Sequence, residues 1–376
     1  MKKKWFALLL ALSMTLGLAA CGGKTPPAPS ADPSAAVEDN TPAPVEANYN
    51  VVLVVPNSLG DKAFSDMVWD GVQMAKEQNP EINNIKCIEL QGDTTTPLPT
   101  LTELAESGEW DLIVTGTASL METIMSVADS FPEQQFIYYD SELDYSNGAF
   151  PNVASFSALQ NEGSFLGGAL AAMMSETGVI GFVGGKETSS VSDFLVGYIE
   201  GAAYINPDIV VRPSFVGSFI DSPKAKELAL TQNAQKADVI YAVAGGAGSG
   251  VYEAAAEAGF WALGVDSDQS LKLEDSNPEV ANAILTSVVK HFDIVLCNAI
   301  TDALQGSLAW GSHNAINMAA DGVGLAENSY YEKAVPADVR AKVEELREKV
   351  VNGEIAVSTA IGMDAQVYED LKNSVS

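Results

Sequence analysis

An acid placed some twenty residues beyond a glycine-rich turn has the spacing of a ribose contact. The stretch VAGGAGSGVYEAAAEAGFWALGVDSDQS, Val243 to Ser270, carries Gly245, Gly246, Gly248 and Gly250 after the strand-like run Asp238 to Ala244, and Asp266 just after FWALGV. In a dinucleotide site such glycines let the backbone approach pyrophosphate at a helix N-terminus, while the acid accepts from a ribose hydroxyl. Here the order is G-G-x-G-x-G, short of the full fingerprint, so the same residues also read as an ordinary βαβ turn. Asp268 competes as a second acid for the same job.

Other chemistries find less support. The two histidines, His291 and His313, stand in no metal-ligand spacing with Cys87 and Cys297. Neither a G-x-S-x-G elbow nor an H-E-x-x-H pair occurs. Acid pairs such as Asp266 and Asp268 resemble glycosidase or nucleosidase carboxylates, but with 50 acids in the chain such pairs arise by chance. The N-terminal strand-like run, VVLVVPNS, offers no acids for a nucleosidase metal cluster. We therefore expect no catalytic residues, no metal and no cofactor, with an exported nucleotide- or nucleoside-processing enzyme kept as the alternative.

The N-terminus sets where these residues work. Lys2, Lys3 and Lys4 precede an apolar run from Trp5 to Ala20, too short to span a bilayer and suited to a secretory signal. The run ends in LAAC, Leu18 to Cys21, which resembles a bacterial lipobox, so residues 1–20 are expected as a leader and Cys21 as the lipidation site. Two or three acyl chains anchor stably where one is marginal. That places the mature chain on the outer face of the bacterial cytoplasmic membrane. Residues 21–48 read as a disordered tether: Gly22 to Asn48 lacks Phe, Trp and Ile, and repeats Pro among Ala, Ser and acids.

A formal charge of −30 disfavours nucleic acid and anionic lipid surfaces as partners. The two cysteines after Cys21 lie in a strand-like run (IKCIEL) and a helix-like run, and read as two buried thiols, with an exported disulfide left open. About 328 residues from Tyr49 onward exceed one ordinary core. Strand-like runs alternate with helix-length stretches: Val51–Val55, Lys86–Leu90, Leu112–Thr115, Gln135–Tyr139, Val153–Phe156, Val179–Val183, Val210–Val216, Val239–Ala244, Trp261–Val265 and Ile284–Val288. This alternation predicts an α/β fold with parallel sheets.

An internal echo points to two copies of one unit. Ser65 and Asp66 recur 127 residues later as Ser192 and Asp193, and NPEI (Asn79 to Ile82) recurs at the same offset as NPDI (Asn206 to Ile209). We expect two doubly wound lobes, one from 49–153 plus about 285–310, the other from 154–284 plus about 311–376. The ligand then sits in the cleft between them, beyond the carboxyl ends of the strands.

At this level the chain resembles a known family. The segments GDKAFSD (Gly60 to Asp66), NEGSFLGGALAA (Asn161 to Ala172), GVIGFVGG (Gly178 to Gly185), VGSF (Val216 to Phe219), KAKELA (Lys224 to Ala229), VAGGAGSGVYEAA, GVDSDQS and ILTSVVK (Ile284 to Lys290) resemble the basic membrane protein family. Those are lipid-anchored solute-binding proteins of ABC transporters, similar to purine nucleoside receptors. The resemblance runs from about Tyr49 to Leu325. It implies a periplasmic-binding-protein type I fold, a purine nucleoside ligand, and ABC permease and ATPase partners.

It also implies a ligand-binding set. Phe64 and Phe219 stack on the base, Asp266 takes ribose hydroxyls, Lys290 assists, Gly246 offers its backbone, and Asp61 and Ser65 complete the set. Stacking of a base on an aromatic ring contributes about 1–3 kcal/mol, and a vicinal diol suits an ionised acceptor beside a cationic donor. Each residue also has a plain structural role open to it. Phe64 can begin a helix stripe with Val68, Val72 and Ala75, Phe219 can plug a loop, Asp266 can cap a helix, and Lys290 can form a surface ion pair. Two departures leave the base preference open: Ser65 stands where many relatives have Asn, and Pro56 and Asn57 follow the first strand where an acid is common. A sugar or other ribose-containing ligand, or a sensory receptor of the same fold, remains the alternative among binding proteins.

Overall fold

The computed structural model describes residues 48–375; the expected leader, Cys21 and nearly all of the expected tether lie outside the described residues. Two parallel sheets organise the chain. The first contains β1 (Tyr49–Val55), β2 (Ile82–Glu89), β3 (Leu112–Gly116), β4 (Gln135–Tyr139), β5 (Val153–Ala158) and, much later, β11 (Ser312–Ile316), in the order β11-β5-β4-β3-β1-β2. The second contains β6 (Val179–Gly184), β7 (Val210–Phe215), β8 (Val239–Val243), β9 (Trp261–Asp266), β10 (Ile284–Lys290) and β12 (Val323–Leu325), in the order β12-β10-β9-β8-β6-β7. Among the described strands only the short β12 pairs antiparallel, against β10.

The central strands are almost wholly apolar and buried because helices cover both faces, as parallel sheets require, whereas the edge strands β2 and β7 mix polar residues and are only partly buried. In β1 all of Val51 to Val55 are buried, and the side chains divide by period two. Val51, Leu53 and Val55 face one apolar cluster, while Val52 and Val54 face another with Leu101, Ile113, Ile124 and Phe136. Fully burying each such side chain contributes about 1.5–3 kcal/mol. In the first lobe α1 (Phe64–Gln78), α2 (Pro97–Ser107) and α3 (Met121–Ser130) connect the strands. In the second, α4 (Gln160–Met174), α5 (Ser189–Ile205), α6 (Ser222–Ala234), α7 (Ser249–Ala258), α8 (Gln269–Leu273) and α9 (Pro278–Ala281) do so. The helix α10 (Phe292–Gln305) returns to the first lobe and packs on α1. The C-terminal helices α11 (Ser329–Ala334), α12 (Ala337–Val351) and α13 (Ala365–Ser374) lie on the second lobe, with α12 against α4 and α13 against α5.

The tightest helix pair, α4 with α5, is made by small residues. A Cβ built on Gly197 would stand 2.1 Å from the Asn161 carbonyl oxygen, and one on Gly168 would stand 2.0 Å from that of Tyr198. Only glycine permits backbones this close.

All ten strand-like runs form strands, and two further strands appear. β11 (SHNAI) is a half-exposed edge strand and β12 (VGL) has three residues, so neither carries an apolar run that alternation detects. The expected lobe boundaries shift accordingly. β5 stays whole in the first sheet, β10 in the second, and β11 returns to the first. The chain thus crosses between lobes at residues 159, 291 and 317–322, because a cut inside a strand would leave ladder donors and acceptors unpaired. Cys87 on β2 is half-buried, Cys297 in α10 is buried, and both are free thiols.

Candidate functional site

The opening glycine stretch folds as its spacing predicts. β8 ends at Val243, Gly245–Gly248 forms a single tight turn with Gly245 at φ 55°, α7 follows, and β9 ends on Asp266. At the carboxyl ends of the strands the chain leaves both sheets through residues of positive φ: Asp140 after β4 at 56° and Asp266 at 65°. Thr117, after β3, has φ 72° and ψ 151°, a region rarely occupied outside glycine. Such backbone costs about 1–3 kcal/mol per residue and persists where surrounding contacts hold it.

The ends of β4 and β9 converge on one ammonium group. Lys290, the last residue of β10, sits at the second crossing and is 2% exposed. Its Nζ donates to Asp140 Oδ1 at 2.8 Å, from the first lobe, and stands 3.6 Å from Asp266 Oδ1 of the second. Aromatic rings lie close by: Nζ is 4.5 Å from the Phe64 ring centroid, 5.2 Å from Phe194 and 5.5 Å from Phe292. Phe64 in turn packs edge-on to Phe292 and tilted to Tyr139. Lys290 is therefore a buried charge shared by both lobes, and its surface-pair reading is excluded.

Burial and charge oppose each other here. Desolvation pushes the Asp266 carboxyl up from 3.8 to about 6; Lys290 pulls it down, while Asp140 and Asp61 add to the rise. For Lys290 burial alone would lower the pKa, but Asp140 and Asp266 together raise it above its ordinary value. A buried ammonium kept charged this way needs a countercharge, and Asp140 at 2.8 Å still supplies one where Asp266, at 3.6 Å, is protonated.

The other expected residues divide by position. Gly246 faces across the cleft: a Cβ there would stand 3.4 Å from the Asp61 Cβ of the first lobe. Phe219 is half-buried, its ring over Gly185, and its carbonyl accepts from Ala247 N at 2.9 Å. That ties it to the glycine turn. Asp61 departs from expectation. Its carboxylate accepts from the amides of Ala63 (2.9 Å), Ser65 (3.0 Å) and Asp66 (3.2 Å), so it caps the start of α1. Ser65 is buried at the same helix start. Asp268, the competitor of Asp266, caps α8 by accepting from Leu271 N and also holds Asn328. Cap and site acid are thus separated within three residues.

Some of the site escaped the sequence reading. Asp140 follows the strand-like run QFIYY directly, the same signal that singled out Asp266. Phe194 and Phe292 sit in helices, where an aromatic reads as core. Gln269 is 4% exposed and donates across the cleft to the Lys62 carbonyl at 3.0 Å, while Lys62 Nζ reaches Ser276 Oγ at 3.2 Å. The lobes are therefore hydrogen-bonded to each other at the rim. His313, on β11, lies between the hydroxyls of Ser155 (2.8 Å) and Ser157 (3.0 Å). Among the described residues no group of three or more His, Cys, Asp or Glu is arranged to hold a metal ion.

Known proteins share this architecture. A solute-binding protein of an ABC transporter system from Aeropyrum pernix superposes with a TM-score of 0.76 at 24% identity, covering 87% of this chain and 98% of that one. A second, from Conexibacter woesei, gives 0.66 at 20% identity over 83% of this chain and 99% of that one. Likeness at this identity shows the fold, the two-lobed type I arrangement of periplasmic binding proteins. In sequence, the CD4+ T-cell-stimulating antigen of Listeria monocytogenes is 30% identical over 95% of this chain and 99% of its own length. The ABC transporter nucleoside-binding protein BmpA of Lactococcus lactis is 27% identical over 84% of this chain and 91% of its own length. Basic membrane protein A of Borreliella afzelii is 30% identical over 82% of this chain and 90% of its length. Residues 48–360 match the family model described as ABC transporter substrate-binding protein PnrA-like. With that match over most of its length, the chain belongs to the PnrA-like family of ABC transporter substrate-binding proteins.

Proposed function

We propose that the ligand of this substrate-binding protein is a purine nucleoside, captured by closure of the two lobes. The observation that carries the reading is the junction at Lys290, where carboxylates and aromatic rings from both lobes meet around one buried ammonium. Asp266 accepts from the ribose hydroxyls, Lys290 donates beside it, Gly246 supplies backbone, and Phe64 and Phe219 bracket the base. A diol gains most from an ionised acceptor next to a charged donor. The name of the Lactococcus lactis relative, a nucleoside-binding protein, supports the same ligand class.

Closure follows from differential affinity: the open form admits the ligand, and contacts from both lobes then favour the closed form. The ligand passes to an ABC permease powered by its ATPase. Residues 1–20 act as the leader and Cys21 as the lipid anchor, with the following segment as the tether that leaves the lobes free to move. Radiolabelled palmitate incorporated by the wild type but not by Cys21→Ala supports the anchor; equal labelling of both overturns it.

The ligand assay uses the mature domain. Inosine, guanosine or adenosine should raise its melting temperature and quench its aromatic fluorescence at micromolar concentration, and Asp266→Ala should abolish both effects. Stabilisation by D-ribose or galactose with no response to nucleosides would overturn the stacking roles of Phe64 and Phe219. Release of free base in the same mixture would revive a nucleosidase.

A further inference from the structure

The nucleoside reading leaves one residue without a task. Asp140 makes the shortest contact to Lys290, 2.8 Å, yet Asp266 already stands beside that ammonium at 3.6 Å. Two carboxylates therefore face one cation in a buried site, where charges are screened less than at the surface. The side chains of Asp140 and Asp266 are 11% and 9% exposed, and that of Lys290 is 3% exposed. The rings of Phe64, Phe194 and Phe292 also lie near the ammonium and bring no countercharge. Asp61 lies close enough to add to the negative field felt by Asp266, although its own carboxylate is held by backbone amides. Lys62 is the cation at the rim, but it is exposed and engaged with Ser276. The formal charge of the whole chain, −30, has the same sign as the site.

A lysine at a ribose site is otherwise an invitation to phosphate, since an ammonium without a carboxylate partner is a ready phosphate ligand. We infer that Asp140 is the residue that selects against charge: by pairing with the Lys290 ammonium it offsets the positive charge that would attract a phosphate, leaves the site negative on balance and restricts it to unphosphorylated nucleosides. This inference rests on the nucleoside reading. A 5′-monophosphate brings roughly −1.5 to −2 charges at neutral pH into a site whose own balance is already negative. Like charges brought together at an interface cost several kcal/mol, which corresponds to a discrimination of about a hundredfold or more.

The test is a gain of function. Calorimetric titrations with inosine and inosine 5′-monophosphate are run on the mature wild type, on Asp140→Asn and on Asp140→Glu. The wild type should bind inosine at least about a hundredfold more tightly than its monophosphate. Asp140→Asn keeps the side-chain size, removes the countercharge and should narrow the ratio to below about tenfold by improving monophosphate binding. Asp140→Glu restores the charge and should restore the exclusion. Inosine and its monophosphate binding equally well to the wild type overturns the inference and spares the nucleoside reading, and that comparison needs no variant to fold. An unchanged ratio in Asp140→Asn likewise overturns it. If no purine nucleoside binds the wild type, the nucleoside reading falls, and the inference with it.

Discussion

Replacing Asp266 by Asn separates what the carboxylate does for the ligand from what it costs the fold. The residue is 7% exposed, and desolvation is the main cause that raises its pKa from 3.8 to about 6. A carboxyl whose folded pKa lies above its unfolded value binds more protons in the folded state between those two values. Its contribution to stability therefore falls as pH rises from about 4 to about 6 and stays at its lowest above 6. A shift of about two units corresponds to roughly 3 kcal/mol. Asp266→Asn should thus stabilise the ligand-free domain by about 1–3 kcal/mol at pH 8 and by nothing at pH 4. Ligand binding moves the other way. A hydrogen bond to a charged group contributes about 1.5–3 kcal/mol, so the variant should bind inosine about ten- to a hundredfold more weakly. Thermal melts at pH 4, 6 and 8, with and without inosine, read both effects in one experiment. A variant that melts lower than wild type at pH 8 refutes the desolvation argument, and one that retains full affinity refutes the ribose contact.

The same ionisation predicts a pH profile for binding. With ionised Asp266 as the proposed acceptor and its pKa pushed up to about 6, affinity should fall about tenfold between pH 7 and pH 5; a midpoint near 4 would show that another group governs binding. Phe219→Ala should cost about 1–3 kcal/mol of affinity while leaving the melting temperature of the empty protein nearly unchanged; a large drop in melting temperature with intact affinity would make Phe219 a loop plug. Gly197→Ala forces a Cβ to within 2.1 Å of the Asn161 carbonyl oxygen, so it should destabilise by about 1–3 kcal/mol or more in denaturant titrations. Gln269→Ala removes the cross-cleft bond to the Lys62 carbonyl and should speed ligand release by up to about tenfold in stopped-flow traces, with no change in the association rate.

By itself the sequence determined the elements. Ten strand-like runs became ten strands because burial of central parallel strands on both faces writes itself into consecutive apolar and β-branched residues, a signal that the partly exposed edge strands β2 and β7 carry more weakly. It also determined that the glycine turn and Asp266 stand at the end of a strand, because glycine spacing and a terminal acid are local features. Repeated motifs announced two lobes. What only the tertiary structure decided was which local features meet. Asp140 and Lys290 are 150 residues apart, and nothing local couples them; the meeting depends on β4 of one sheet and β10 of the other pointing their carboxyl ends at a common gap. Asp268 was in sequence a weaker candidate for the role of Asp266, and in the structure Asp266 stands beside Lys290 while Asp268 caps a helix, since a single turn of backbone decides where each carboxylate aims. Asp61, the first acid of its motif, turned inward to three amides, because an unsatisfied helix start competes for any nearby carboxylate. The edge strands β11 and β12 form only because neighbouring strands offer unpaired backbone, a demand no short polar run displays on its own.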